Sequence, residues 1–587
     1  MHRRILLVPR QASRNFTPRR SRDCGRIVER LGEGKMVARN SKMRAGFNLG
    51  GEAAELDGLL EDAFFESGDY RAMESKDEHR CLLVGRTGAG KSAVLKHIES
   101  IHPDHVIRIN PENLSLPYIT NLQAIRYLDT LGVNLDNFWQ TLWRHVLLVE
   151  ILRHRYKVDS PAAKSNFLQN LRERIRNDKT KQAALAYLDD FEGNFWCESD
   201  ERVRQITDRF AERIGAEGGG KLGGAGASLS ASGNVATESS QEAHTEQVLR
   251  FQRIVNDTQL ARLNKMINVL DEDVLDSNHF TYVLIDDLDK EWVDERIAND
   301  LIRCLFSTVY SLHNVRNLKV IVALRTNIFQ ELDFGRRGGG QEEKFRALVQ
   351  EIRWAPHSLM RVLDERAQVS GRRLGSDVNS FGEFLPSSNS TMGKPVEYIL
   401  DRTLLRPRDA LAFANECFSV GAGKDRLAWA DIKSAEETYS VGRLLALRDE
   451  WKGTYPGIAE VVQQFRHASM RMERDEFQER LDNAILLLSD ERFEGAKWMT
   501  DASAHIWSAG ADVEWAYLYS PLIKILYRLG LIGLSTRSGD RPVFFNQDPH
   551  LIDRSSDVDA SKYFYVHRMY HRGLEVRANA GRREGDR

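Results

Sequence analysis

Cysteine is scarce: the 587 residues hold five, Cys24, Cys81, Cys197, Cys304 and Cys417, and no two form a C-x-x-C pair. That scatter argues against a disulfide framework or a zinc site and fits a reducing, cytoplasmic setting. Long apolar runs are also missing. None approaches the ~20 residues of a membrane-spanning helix, so no membrane partner is expected. Excess charge is absent too: 83 Lys and Arg against 85 Asp and Glu give −2. Overall charge therefore makes no case for nucleic acid.

The near-balance conceals an asymmetry. Residues 1–46 carry thirteen basic side chains against Asp23, Glu29 and Glu33, which is +10 and leaves −12 for the remainder. This Arg- and Ser-rich stretch has no helical or strand period and reads as a disordered extension. A targeting peptide or a nucleic-acid-binding arm are the other readings, and Met36 and Met43 are later candidate starts. Beyond it the chain is too long for a single core, and two to four domains are expected.

The remainder is organised around Leu82 to Ser92. Gly85, Arg86, Thr87, Gly88, Ala89, Gly90, Lys91 and Ser92 fit G-x-x-x-x-G-K-[ST], between an apolar strand-like run and a helix-like run, Ala93 to Ile98. Glycines let the backbone curl into a nest of inward N–H groups, and the helix opening at Lys91 adds its positive end. Lys91 is the expected contact of the β- and γ-phosphates, and the Ser92 hydroxyl that of Mg²⁺.

Order is expected from near Phe47, with a helix over Ala53–Phe65. His105–Ile109 reads as a second strand, followed by a large helical insertion from about residue 115 to 275. Trp139 and Trp143 in it read as core. The Gly- and Ser-rich segment 217–240 reads as a linker, with a thin hairpin as the other reading. Thr281–Ile285 is a buried-strand run delivering Asp286 and Asp287. Asp286 is placed to hold the Mg²⁺ shell; Asp287 stands where many ATPases carry the glutamate that polarises water, with Glu291 as substitute. A helix over Glu295–Leu312 leads to a further buried strand, Leu318–Leu324, and Arg325 follows it as a γ-phosphate sensor or a strand cap. Alternating strands and helices imply an α/β fold with a parallel sheet and the ligand at its carboxyl edge.

After residue 330 a helical lid is expected to residue 440. In it Pro407 opens an apolar helix, and Arg406 or Arg408 is placed to reach back to the phosphates. The unit from 441 to 587 ends in the outline of a winged helix. Ser520-Pro521 caps a helix to Leu529, and Leu531–Leu534, a turn at Ser538-Gly539-Asp540 and Val543–Phe545 follow. Lys524 and Arg528 on the helix, with Arg537 and Arg541 in the turn, permit DNA; a protein partner is the other use. Tyr563–Tyr570 reads as aromatic packing.

GRTGAGKS, VLIDDLD, VALRTN and RPRD together resemble the bacterial P-loop ATPases near the KAP and STAND groups, which share the additional-strand core of AAA+ and origin-recognition-type ATPases. The resemblance covers roughly residues 47–420. It implies an ATP-driven switch, with assembly into a homo-oligomer on ATP binding, often in DNA transactions or anti-phage defence. Lys91 and Ser92 would contact phosphate and magnesium, Asp286 would be the metal-shell acid, Asp287 the water activator and Arg325 the sensor. Aspartate at the usual glutamate position implies slow turnover. A scaffold that binds ATP and barely hydrolyses it is the alternative. A GTPase ranks last, because Asn264-Lys265 runs on to Met-Ile and no N-K-x-D guanine motif is present; a small-molecule kinase ranks with it.

Overall fold

Five short strands pair in parallel in the order β2-β3-β4-β1-β5: β1 Leu82–Gly85, β2 Val106–Ile109, β3 Thr281–Ile285, β4 Leu318–Arg325 and β5 Val349–Glu351. The computed structural model describes residues 42–44, 46–114, 123–156, 199–217, 239–256, 260–288, 295–332, 342–490, 496–508, 513–535 and 541–578, with isolated positions between 166 and 176 and at 493. β1, β3 and β4 are buried along nearly their whole length, as parallel strands covered by helices on both faces must be. β4 lies between the P-loop strand β1 and the acid-bearing strand β3, in register Gly85↔Arg325 and Ile285↔Val322. This is an α/β fold with an additional strand between the two motif strands. β5 carries the core sheet to residue 351 and past the boundary expected at 330, because Val349-Gln350-Glu351 is half-buried and has no apolar run to read.

Around the sheet, the insertion supplies the Asp136–Tyr156 helix. Trp139 and Trp143 are fully buried there, and the Trp143 indole donates to the Leu301 carbonyl at 3.0 Å, which ties it to the Glu295–Leu312 helix. The helix expected over Ala53–Phe65 is a single 3₁₀ turn, Ala54–Leu56, with Leu56 85% exposed. The buried Asp57 carboxylate explains the difference. It accepts the N–H groups of Gly51 (3.0 Å) and Leu59 (3.1 Å) and pairs with Arg366 at 2.6 Å, so the backbone is satisfied without a helical ladder.

The second half is helical: Pro356–Leu374, Pro407–Val420 and Trp429–Trp451 are its main elements. The last runs unbroken through residue 440, where lid and C-terminal unit were expected to part. The two share one core, and Met43, Phe47 and Leu49 from before the P-loop are buried in it. A small antiparallel sheet in the order β6-β8-β7 (Met472–Glu473, Tyr563–Val566, Ile532–Ser535) completes the unit. β7 therefore pairs with the Tyr563 strand and makes only a single bridge, Leu534 to Val543, with the segment expected as its hairpin partner. Phe564 stacks on Phe477 at 4.0 Å, so these aromatics pack.

The preceding helix begins at Trp515, not at Ser520, and contains Pro521. A proline leaves the carbonyl four residues back without its helical donor; here that carbonyl, of Tyr517, has His505 Nδ1 at 3.2 Å. The 538–540 turn, Arg537, nearly all of the basic extension and most of the 217–240 segment lie outside the described residues.

Candidate functional site

Gly85 ends β1, and the loop after it reaches the Lys91–Ile101 helix through two left-handed glycines, Gly88 at φ +76° and Gly90 at φ +102°. A Cβ on Gly88 would stand 2.8 Å from the Cβ of Arg408, so position 88 excludes any side chain by both conformation and space. Lys91 Nζ donates to the Gly85 and Arg86 carbonyls at 2.9 and 3.3 Å. The next three carbonyls are held by other elements. Arg406 Nη1 donates to Thr87 at 3.0 Å, the Arg408 N–H to Gly88 at 3.4 Å, and the Trp354 indole to Ala89 at 2.8 Å. Planar peptides then turn the N–H groups of Gly88 and Gly90 the opposite way, as an anion nest requires.

Asp286 follows β3 and is 4% exposed. Its Oδ2 accepts the Ser92 hydroxyl at 2.9 Å, across 194 residues of sequence, and its Oδ1 accepts the Asp287 N–H at 3.0 Å. Burial pushes this carboxyl above the usual range, against the Ser92 hydrogen bond that favours its charge. A hydroxyl and a carboxylate side by side are a hard-oxygen pair of the kind Mg²⁺ takes when phosphates complete its shell, so these residues fit the ion. Asp287 has φ +60°, in the left-handed region, and turns the chain away directly after the acid. Arg325 ends β4 beside Gly85. Glu291 lies outside the described residues.

Arg108 on β2, not foreseen from the sequence, has Nη2 3.6 Å from Asp286 Oδ2 and Nη1 3.4 Å from Glu99. The available signal was a charged residue one step from the end of an otherwise apolar strand.

Of the two lid arginines, Arg408 lines the cleft that also holds Gly88, Gly90, Lys91, Ser92 and Glu52. Arg406, expected equally to face phosphate, is instead committed to protein. Its guanidinium binds both oxygens of the fully buried Asp409 at 2.8 and 3.0 Å, besides the Thr87 carbonyl. Arg443 Nη1 lies 3.4 Å from the same carboxylate, and its Nη2 donates to Glu52 at 2.6 Å. Burial alone would raise the Asp409 pKa; the charges of Arg406 and Arg443 hold it below the usual carboxylate range.

Arg86 turns out of the P-loop altogether. Its Nη2 donates to the carbonyls of Arg528 (3.3 Å) and Leu529 (3.0 Å), at the C-terminal end of the Trp515–Arg528 helix. A motif match cannot show this, because the motif leaves that position open.

Comparisons with known proteins bear on parts of the chain. Residues 357–448 match the sequence profile of a FunZ-associated C-terminal helical domain. The match covers most of the three long helices; Arg406, Arg408 and Asp409 open the second of them and Arg443 lies on the third. No curated protein matches the chain. A Walker-type ATPase of Pyrococcus abyssi aligns with 85% of this chain and 96% of its own, at 13% identity and a TM-score of 0.33. So loose a superposition carries no argument about the site, which rests on its own geometry. Among the described residues no helix is long and apolar enough to cross a membrane.

Asp409→Ala leaves two guanidiniums without their shared buried partner and should cost roughly 3–5 kcal/mol. Because the carboxyl is held below its ordinary value, its contribution is present at neutral pH and is lost as pH falls through that depressed value. Urea unfolding at pH 7 and at pH 3 checks both: the deficit of the variant should be large at the first and smaller at the second.

Proposed function

We propose that the chain is a P-loop ATPase that binds Mg²⁺-ATP, turns it over slowly and uses the nucleotide state as a switch. The observation that carries the reading is the approach of Ser92 Oγ to Asp286 Oδ2, 2.9 Å, below a loop whose carbonyls are drawn away by Arg406, Arg408 and Trp354. Gly88 and Gly90 offer N–H groups to phosphate, and Lys91 offers a point charge. Ser92 and Asp286 would hold Mg²⁺, which when bound neutralises charge on the phosphates. Asp287 leaves the same strand end as Asp286 and would orient the attacking water. Arg325 at the end of β4 reads the phosphate terminus, and Arg408 closes the cleft from the lid.

The C-terminal unit is the output in this reading. It engages DNA or a protein partner, and ATP binding favours a homo-oligomer; the resemblance places such switches in DNA transactions or anti-phage defence. One observation favours the second reading, a nucleotide-binding scaffold: Asp287 is a methylene shorter than the glutamate usual at its position. Phosphate release with and without DNA separates the two.

Lys91→Ala should abolish ATP binding and leave the fold intact, since Lys91 is half-exposed at the P-loop and belongs to no hydrophobic core. Isothermal titration with Mg²⁺ present checks it, and near wild-type affinity would remove the assignment. Asp286→Asn should weaken the Mg²⁺ dependence of binding, by withdrawing charge from the metal shell; an unchanged Mg²⁺ requirement would give the ion to another acid.

Asp287→Asn should keep ATP bound and stop turnover, holding the protein in one of its states. Phosphate release together with light scattering tests it. Wild-type hydrolysis would move the water-orienting role elsewhere. Arrested hydrolysis with no nucleotide-dependent change in assembly, DNA binding or partner binding would count against a switch.

A further inference from the structure

β2 lies at one edge of the parallel sheet, and its side chains divide between two environments. Ile107 and Ile109 are buried in the core that holds Trp139 and Trp143, whereas Val106 packs against the core of Val94, Leu95 and Ile98 in the Lys91–Ile101 helix. Alternation along the strand puts Arg108 in the row of Val106, one step nearer the ligand edge. A charge in such a row costs free energy unless something pairs with it.

Two carboxylates meet the guanidinium. Nη1 lies 3.4 Å from Glu99 of the Lys91–Ile101 helix, and Nη2 lies 3.6 Å from Asp286 Oδ2. Both separations exceed the ~2.7–2.9 Å of a charge-assisted hydrogen bond, so the hold is electrostatic and undirected. The Asp286 oxygen concerned is also the one that accepts the Ser92 hydroxyl at 2.9 Å.

Arg108 thus sets a positive charge against the carboxylate given above to Mg²⁺. A guanidinium cannot shed its proton in a protein, so that charge stays when a dication approaches. Lys91 adds a second positive charge near the same carboxylate, and Asp287 a negative one. Two cations that need one carboxylate oppose each other, and a polyphosphate brings the negative charge that offsets the conflict.

We propose that Arg108 competes with the divalent ion for Asp286, so that the ion is taken together with the polyphosphate and not ahead of it. The inference rests on the reading of Asp286 as the metal-shell acid. Glu99 moderates the competition, because it shares the guanidinium and draws it away from Asp286. A phosphate contact would add to the affinity for nucleotide; Arg108 instead subtracts from the affinity for the metal.

Isothermal titration of the full chain with ATPγS over a series of Mg²⁺ concentrations tests this on wild type, Arg108→Gln, Arg108→Lys and Glu99→Gln. Arg108→Gln should reach half of its Mg²⁺-dependent gain in affinity at least about fivefold lower in Mg²⁺, since one unit charge no longer opposes the ion. Arg108→Lys keeps the charge and should stay near wild type. Glu99→Gln leaves the guanidinium to Asp286 alone and should raise the requirement about twofold.

An unchanged or higher Mg²⁺ requirement in Arg108→Gln overturns the proposal. Weaker ATPγS binding by that variant at saturating Mg²⁺, with the requirement unchanged, does so too and makes Arg108 a phosphate contact. Wild-type ATPγS affinity that is indifferent to Mg²⁺ overturns the metal-site reading itself, and this inference with it. Thermal unfolding shows whether each variant is folded. If Arg108→Gln is not, Glu99→Gln decides: the Glu99 side chain is 45% exposed, and a Mg²⁺ requirement that fails to rise overturns the proposal.

Discussion

A loop that turns its N–H groups toward an anion must place its carbonyls elsewhere, and each buried carbonyl needs a donor. In this chain the donors for Thr87, Gly88 and Ala89 come from outside the sheet: Arg406 and Arg408 from the lid, and Trp354 just after β5. The P-loop is therefore not a free-standing motif on a Rossmann-like core. Its shape depends on the second half of the chain being folded against it, and Arg86 extends the dependence to the C-terminal helix. A sheet without its lid would keep the motif residues and lose what bends them.

Buried charge orders this arrangement. Asp57 with Arg366, Asp409 with Arg406 and Arg443, and Glu436 with Arg402 are ion pairs whose carboxylates are almost wholly withdrawn from water. Pairs of this kind add little net stability over apolar residues of equal size, but a wrong alignment strands a charge at a cost of several kcal/mol. The first two fasten the strap before β1 to the lid, with Arg443 reaching Glu52 in that strap. Their contribution is to make one docking of the strap and lid far better than any neighbouring one.

Where physics is local, the sequence could be read to the residue. Thr281–Ile285 and Glu295–Leu312 have the bounds their apolar patterns indicate, because a fully buried strand and a strongly one-sided helix leave few alternatives. Gly88 and Gly90 were legible for the same reason: the nest needs positive φ.

What escaped depends on partners far along the chain. Ala53–Phe65 has helical spacing, yet the Asp57 carboxylate claims its backbone and pairs with Arg366, more than 300 positions away. β5 is three residues long and recognisable only by the strand beside it. Pro521 reads as a helix start, yet it sits inside the Trp515–Arg528 helix, where the carbonyl it leaves without a helical donor lies at the surface beside the His505 ring. Arg406 and Arg408 stand two apart around Pro407, and nothing in that spacing tells which one Asp409 retains.

The Trp429–Trp451 helix is 23 residues long, or about 34 Å at the usual rise. One end carries Asp431 near the start of the second core; the other carries Arg443 and Glu450 beside the loop that Arg406 holds. A rigid rod of that length works as a lever. A tilt of about 10° about its phosphate-side end sweeps the far end through roughly 6 Å, more than the width of a side-chain contact. Ile432 and Ala435 near that far end are buried in the core of the second half, so a shift at the P-loop would arrive there as a demand on packing rather than stop at the loop.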